Sequence, residues 1–287
     1  MTSETLIILS LLVPFIAALI IPLFHGQPNL RETITITAAG ILFTSVIHLL
    51  VRVLDGARPE LHLFDVVPGL PLSFAIEPLG MIFATVAATL WIANSIYSIG
   101  YMRGNKEPRQ TPFYMCFAVA ISSTIGIAFA SNLFTLFLFY EILTLSTYPL
   151  VTHKGNEEAR KSGRLYLVLL LATSTILLLP AVVMTWSYSG TLEFTPGGVL
   201  AGKVDGLTVG IMLGMFVFGI GKAAVMPVHF WLPAAMVAPT PVSALLHAVA
   251  VVKAGVFSVV KVVVYIFGID FLRESGEGDW LLYVASF

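Results

Sequence analysis

Four ionisable side chains lie in otherwise apolar stretches of this sequence: Glu141, Lys222, His247 and Lys253. An unpaired charge at the centre of a lipid bilayer costs at least ~2.5–3.5 kcal/mol, so such side chains usually face a hydrated interior lined by protein. Carboxylates, lysines and histidines in such surroundings can bind and release protons near neutral pH. These residue types therefore predict one segment of a proton or cation pathway through a membrane.

Glu141 and Lys222 form the predicted central pair. Glu141 lies near the middle of a predicted helix over 133–151. It is either a titrating carboxylate paired with a lysine, or a hydrogen-bonded residue that joins two helices. Lys222 is either the partner of Glu141 or a side chain in the last helical turn that reaches the cytoplasmic surface. Pro227 is expected to break the helix that carries Lys222, as in transporter ion sites.

The next predicted helix, 241–267, carries four further polar residues. Lys253 is expected deep in the bilayer, either as a proton carrier or in a static ion pair. His247 either relays protons to Lys253 through water or is hydrogen-bonded inside the protein. Ser243, one helical turn earlier, can hold a water molecule on the same face. Lys261 lies near the outer end, where it either extends the path or, as we favour, reaches the surface.

The linker between these two helices contains the motif PVHFWLP, with His229 and Trp231. His229 is either the mouth of a half-channel or a residue without a transport role, and Trp231 fits an anchor at the membrane interface. The sequence shows no metal-ligand spacing, no phosphate-binding glycine loop and no Ser–His–Asp pattern. We therefore predict no metal and no cofactor. No role is assigned to His25, His48, His62 and His153.

The composition predicts an all-α polytopic membrane protein. Hydrophobic residues make up 57% of the chain and charged residues 11%, whereas soluble proteins contain about 25% charged residues. The apolar runs are long enough for helices of roughly 20 residues that cross a bilayer. No basic tract indicates a nucleic-acid partner. The predicted transmembrane helices are Leu6–Phe24, Thr33–Val53, Leu79–Gly100, Pro112–Ala130, Leu133–Val151, Leu165–Tyr188, Leu207–Met226 and Pro241–Phe267.

The chain divides into three predicted parts. Residues 1–110 hold helices one to three, with a short β-hairpin at 59–76 in which Pro68-Gly69 separates two β-rich runs. Residues 111–267 hold a unit of five helices, four to eight. Residues 268–287 hold a loop and the start of a ninth helix, too short to cross a bilayer. This last part predicts either a fragment or a half-length subunit completed by another chain.

The distribution of Lys and Arg predicts the orientation, because cytoplasmic loops carry an excess of them. The loops after helices one, three and five contain more of these residues than the loops on the other side. This bias predicts an N-terminus outside the plasma membrane of a prokaryote. The first set comprises Arg31, Arg103, Lys106, Arg109, Lys154, Arg160, Lys161 and Arg164. The second set comprises Arg52, Arg58, Lys203 and Arg273.

Two long motifs resemble one family of membrane proteins. The stretch KAAVMPVHFWLPAAMVAPTPVSALLHAVAVVKAG begins at Lys222, and the segment FYEILTLSTYPLVTHKGNEEARKSGRLYL contains Glu141. Both are similar to the antiporter-like subunits shared by respiratory complex I, membrane-bound hydrogenases and Mrp-type multisubunit Na⁺/H⁺ antiporters. The resemblance implies a fold of about fourteen helices, ten of which form two inverted five-helix repeats. It also implies a proton-transfer pair at Glu141 and Lys222, a central lysine at Lys253 and, as in some members, a histidine at His247.

The predicted function is that of a membrane subunit moving H⁺ through a half-channel, coupled to Na⁺ or K⁺ antiport as in the Mrp type. The alternative is a proton-pumping subunit of a complex I-like or hydrogenase redox complex. An alternative of another class is a scaffold subunit whose buried ion pairs are static. The chain is not expected to be catalytic alone. Its predicted partners are other membrane subunits, among them a chain that supplies the second repeat.

Overall fold

The computed structural model describes residues 1–286, and helices form most of this part of the chain. The helices are α1 (Ser3–Ile20), α2 (Pro28–Leu54), α3 (Pro78–Gly104), α4 (Gln110–Phe129), α5 (Leu133–Val151), α6 (Glu157–Ser189), α7 (Gly206–Gly219), α8 (Thr240–Phe267), α9 (Ile269–Ser275) and α10 (Asp279–Ser286). A single antiparallel hairpin among the described residues comprises β1 (Glu60–Val67) and β2 (Leu70–Ala75). The predicted fold class, an all-α polytopic membrane protein with a small hairpin, is confirmed.

Within residues 1–286, seven helices are long and apolar enough to cross a membrane, namely α1 to α6 and α8. Helix α7 has 14 residues, fewer than the roughly 20 that a crossing needs. Short helical turns at Gly221–Ala223 and Val228–Val237 follow it. The predicted seventh crossing is therefore an interrupted segment.

The hairpin is fixed to the turn between α4 and α5. Gly69 adopts φ +85 in the turn that joins the two strands, a conformation that glycine adopts without steric cost. The Nδ2 of Asn132 donates to Pro71 O at 3.0 Å, and the backbone N–H of Ser131 donates to Ser73 O at 3.2 Å. These bonds hold β2 against the ends of two transmembrane helices.

Helix α4 lies at the centre of the bundle. Nearly all of its side chains between Thr111 and Phe129 are buried, because α1, α3 and α5 pack around it. A hydrogen bond of 2.8 Å from Ser122 Oγ to Leu11 O joins α4 to α1. The site residues that the sequence predicts lie on α5, on α8 and on the segment after α7, so the N-terminal helices act as their support.

Helices α2 and α6 begin more than one helical turn earlier than the sequence predicts. Helix α2 begins at Pro28 instead of Thr33, because proline suits the first helical turn. Arg31 therefore lies in this helix and is buried beside Glu32, not in a loop as predicted. Helix α6 begins at Glu157 instead of Leu165, because the Asn156 side chain caps it by accepting from the N–H of Ala159 at 2.8 Å.

The break after α7 lies before Pro227, and the prediction that Pro227 breaks the helix is wrong in its position. Helix α7 ends at Gly219, where an added Cβ would lie 2.5 Å from the backbone N of Leu178 on α6. At Gly221 an added Cβ would lie 2.4 Å from Thr173 Oγ1, also on α6. Close backbone packing at two glycines thus accompanies the end of the helix, several residues ahead of the proline.

Candidate ion-transfer site

Lys222 is completely buried in the turn Gly221–Ala223. Its Nζ donates to Tyr140 O at 2.8 Å and to Thr144 Oγ1, and it lies 3.1 Å from the centroid of the Tyr140 ring. The backbone N–H of Lys222 donates to Tyr140 Oη at 3.1 Å. The interpretation of Lys222 as a surface-reaching side chain is therefore wrong, because one face of α5 encloses its ammonium group.

Glu141 follows Tyr140 on α5 but points to a different side of that helix. Its side chain is half-buried, and its Oε1 is buried without a hydrogen-bond partner among the described residues. No ion pair at contact distance joins Glu141 to Lys222 in this part of the chain. Leu145, one turn further along α5, is exposed. Glu141 therefore lies at the edge of a face that a neighbouring protein or lipid must cover.

Trp231 is buried and contributes to the helix break. Its Nε1 donates to Gly221 O at 2.9 Å, and its ring packs edge-on against Tyr166 at 5.5 Å. A carbonyl freed by a helix break inside a membrane needs such a donor. The prediction of an interfacial anchor is wrong for this residue, because the indole satisfies a backbone group inside the protein.

His229 and His247 lie beside the two irregular segments of the site. His229 is half-buried in the linker and stacks on Phe230 at 4.5 Å. His247 is half-buried in a π-helical turn of α8, Leu245–Val249; such turns frequently occur at functional sites. His229 Nδ1 and His247 Nε2 are buried without hydrogen-bond partners within the described residues. Each ring therefore has a nitrogen that can form a hydrogen bond with water.

The two lysines of α8 differ in burial, and Lys261 departs from expectation. Lys253 is exposed in the described part of the chain, because no described helix covers that face of α8, and Val256 beside it is also exposed. Lys261 is completely buried, so the favoured interpretation that it reaches the surface is wrong. Its Nζ lies 3.2 Å from Glu77 Oε2 and donates to Ala130 O at 2.8 Å. Ser243 is half-buried.

The structure thus brings Lys222 together with Tyr140 and Thr144, which the sequence analysis did not single out. Tyr140 and Thr144 are four residues apart in the apolar helix α5, a spacing that places both on one face. Glu77 was also missed. The sequence feature that could have identified Glu77 is an acidic residue in an apolar context, directly before Pro78 at the start of α3.

A polar cluster lies at the end of α5, outside the membrane-spanning segments. His153 is buried, its Nε2 lies 3.8 Å from Glu107 Oε2, and Arg109 donates to His153 O. Burial lowers the pKa of His153 below 6.5; Arg109 acts in the same direction and Glu107 opposes it. This histidine, to which the sequence analysis assigns no role, ties the α3–α4 loop to the α5–α6 loop.

Comparison with known proteins places this arrangement among membrane ion-transport and respiratory subunits. A family model described as "NADH:quinone oxidoreductase/Mrp antiporter, TM" matches residues 130–274, which include α5, the break and α8. "Putative antiporter subunit mnhA2" of Staphylococcus aureus (strain JH9) is 28% identical over 223 residues, and that of Staphylococcus haemolyticus (strain JCSC1435) is 26% identical over 220 residues. Each alignment covers 75% of this chain and 26% of the relative.

Two solved structures share the fold. A chain of the membrane-bound sulfane sulfur reductase, an archaeal respiratory membrane complex, superposes with a TM-score of 0.77 at 23% identity, covering 88% of this chain and 52% of that one. A chain of the Mrp complex from Dietzia sp. DQ12-45-1b superposes with a TM-score of 0.75 at 24% identity, covering 88% of this chain and 27% of that one. This chain therefore spans about a quarter of the length of the curated relatives that it matches.

Proposed function

The chain belongs to the NADH:quinone oxidoreductase/Mrp antiporter transmembrane family, and from this premise we propose that it moves protons through a half-channel centred on Lys222. The observation that carries the proposal is the completely buried ammonium group of Lys222 at a helix break. The predicted unit 111–267 contains this half-channel. The coupled process that we propose is Na⁺ or K⁺ antiport of the Mrp type, as the names of the similar relatives favour.

The surroundings of Lys222 suit a group that gains and loses a proton. A carbonyl, a hydroxyl and an aromatic face stabilise the ammonium form, but no carboxylate of the described residues contacts it. An approach of Glu141 to about 4 Å would add roughly 4 kcal/mol of attraction at an effective dielectric of 20. Approach therefore loads the proton on Lys222 and separation releases it; in the structure the two groups do not form an ion pair at contact distance.

The proposed route follows the polar atoms that lack partners. Protons enter from the cytoplasmic side at the linker, where His229 Nδ1 is free, and reach Lys222 behind the indole of Trp231. His247 and Ser243 then support a water chain along the first half of α8. The chain leads to Lys253 on the uncovered face of that helix.

The exposure of Lys253 points to a missing neighbour. A lysine near the middle of a bilayer-spanning helix is not expected to face lipid. We propose that further transmembrane helices cover this face, supplied by a longer version of the same polypeptide or by a partner chain, since the similar relatives are much longer. Glu141, at the edge of the exposed side of α5, would face another membrane subunit.

The proposed setting is the plasma membrane of a prokaryote, with the N-terminus outside. Helix α2 begins at the same side as the loops that contain Lys106 and Lys154. These loops carry more Lys and Arg than the opposite ones, which supports a cytoplasmic location. The hairpin and Glu77 then lie on the outer side.

A second candidate is a proton-pumping subunit of a redox complex. The family description includes NADH:quinone oxidoreductase, and the superposition with a chain of an archaeal respiratory complex favours this setting as well. Replacing Na⁺ and K⁺ by choline separates the two settings. Antiport stops without the alkali cations, whereas pumping driven by a redox reaction continues.

The test is proton transport by the assembled complex in inverted membrane vesicles, followed by quenching of a pH-sensitive acridine dye. Glu141→Gln and Lys222→Met are expected to lower the transport rate by at least about tenfold while the complex still assembles. Lys161→Ala is the control, because Lys161 and Glu157 form an exposed ion pair. Wild-type transport in an assembled Glu141→Gln or Lys222→Met complex refutes the half-channel. Loss of assembly in both variants instead identifies a scaffold with structural charges.

A further inference from the structure

The ammonium group of Lys261 is completely buried near the outer end of α8, among polar groups and aromatic rings. Ala130 O accepts from Nζ at 2.8 Å, Glu77 Oε2 lies at 3.2 Å, and the Phe194 ring centroid lies at 4.2 Å. The three partners come from the α4–α5 turn, the start of α3 and the loop after α6. The Lys261 side chain is 0% exposed, and the Glu77 side chain is 21% exposed. Glu77 thus gives the enclosed ammonium group a partly exposed carboxylate neighbour.

The Glu77 side chain does not form a hydrogen bond with the helix that follows it, α3. It stands at the position before α3, where a Ser, Thr, Asp or Asn side chain commonly caps the helix, and it makes no capping hydrogen bond. Pro78 follows it and has no N–H to offer. The Glu77 carboxylate is therefore directed to Lys261 and not to the α3 backbone.

A polar cavity connects Glu77 to the outer surface. Its volume is about 230 Å³, which exceeds what several water molecules need. Ser73 and Ser131 line its inner wall, and the exposed Glu60 and Glu193 stand at its mouth. The hairpin forms one side of this cavity, so its docking on the α4–α5 turn shapes the opening.

One face of α8 connects this pocket to Lys222. Gly255, Ser258 and Lys261 recur at intervals of three residues, so Ser258 is a neighbour of each of the other two on the helix surface. At Gly255 an added Cβ would lie 2.3 Å from the carbonyl carbon of Lys222, so α8 touches the helix break directly. Ser258, between the two, is completely buried, and its hydroxyl has no hydrogen-bond partner in residues 1–286. The gap between Gly255 and Lys261 spans about 9 Å of helix.

We propose that Lys261 and Glu77 form a second proton-exchange site, which passes protons between the Lys222 region and the outer surface through the cavity at the hairpin. The proposal rests on the proposed function for its supply of protons. It adds an outer opening that lies within this chain. Without such an opening, the route ends at Lys253 and needs another chain to continue.

The proposed step moves one proton from Lys261 to Glu77 and then to water. An N–H bond of the Lys261 ammonium breaks as an O–H bond forms on the Glu77 carboxylate, leaving a neutral amine and a neutral acid. The acid then releases its proton to water in the cavity, and the carboxylate is restored. Lys261 is reprotonated through a water molecule held by Ser258, which gives one proton to the amine and receives another from the Lys222 region, so that no hydroxide is left.

The first test asks whether water-soluble reagents reach position 261 from outside. The full complex carries Cys116→Ser to remove the free cysteine, together with either Lys261→Cys or Val262→Cys. Val262 is the matched control, because it is the next residue and equally buried. A methanethiosulfonate reagent bearing an ammonium group is added outside right-side-out vesicles that contain free cysteine to trap any leaked reagent.

Modification at position 261, at least about tenfold faster than at position 262, supports an aqueous opening. Lack of modification at 261, or equal rates at the two positions, overturns the proposal. In the supporting case, attachment of the ethylammonium group places an amine where the lysine stood, and transport is expected to recover.

The second test separates exchange from a static ion pair. Glu77→Gln keeps the shape of the side chain but cannot accept the proton, so transport is expected to fall by about tenfold with unchanged assembly. Asp55→Asn is the control, because Asp55 is an exposed carboxylate at the end of α2 that does not line the cavity, and it is expected to retain most of the transport. Wild-type transport in an assembled Glu77→Gln complex overturns the second site. That result leaves the Lys222 half-channel intact, whereas full transport in an assembled Glu141→Gln or Lys222→Met complex refutes the half-channel and removes the proposed supply of protons.

Discussion

The hydroxyl of Thr144 offers a sensitive test of how α5 holds the proton on Lys222. Thr144→Val keeps the shape of the side chain and removes an oxygen that accepts a hydrogen bond from Lys222 Nζ. The acceptors that stay are Tyr140 O at 2.8 Å and the Tyr140 ring. The variant therefore loses one of the described contacts that stabilise the charged form of this lysine.

The size of the effect follows from the energy of that bond. A hydrogen bond to a charged group contributes about 1.5–3 kcal/mol, and a tenfold change in proton binding corresponds to about 1.4 kcal/mol. Removal of the acceptor favours the neutral amine, so a higher proton concentration is needed to load Lys222. The alkaline limit of the transport profile is expected to move to lower pH by about 1–2 units.

The assay is the rate of proton transport by the complex in inverted vesicles, measured across a series of pH values. Thr147→Val is the matched control, because Thr147 is equally buried on α5 and its hydroxyl pairs with Tyr166 Oη at 2.6 Å, not with Lys222. The control is expected to keep the wild-type profile. If the profiles of both variants coincide with that of the wild type, Thr144 does not govern the proton on Lys222, and the reasoning fails.

Two further predictions concern stability, both measured as thermal unfolding of the purified complex in detergent. Gly219→Ala is expected to destabilise by about 1–3 kcal/mol, because the added Cβ would lie 2.5 Å from Leu178 N. Gly214→Ala on the same helix meets only the Trp280 side chain at 3.8 Å and is the control; equal melting temperatures contradict the packing argument. Burial lowers the pKa of His153 in the folded state, so the unfolded chain binds a proton at this residue more readily. The contribution of the neutral, buried His153 to stability is therefore present above pH 6.5 and is lost as the pH falls below it. His153→Gln is expected to reduce the loss of stability at acid pH. An unchanged pH dependence of the melting temperature contradicts a role of His153 in that loss.

Several features follow from local patterns and could be predicted. The apolar runs predict the transmembrane helices, because the bilayer requires both length and hydrophobicity. Pro68-Gly69 predicts the hairpin, because the turn needs a residue that tolerates positive φ. Glu141 and Lys222 stand out because charged residues are rare in apolar helices.

The sequence by itself determined the membrane class, the helices and the hairpin, because these depend on local composition and turn chemistry. The tertiary structure alone decided which lysine is enclosed. Lys253 and Lys261 lie on one helix, and only packing by other elements covers Lys261 and leaves Lys253 on an open face. It also decided that the helix breaks at Gly219, because the contact between Gly219 and the backbone of α6 cannot be read from the sequence. Burial and close approach depend on residues far apart in sequence.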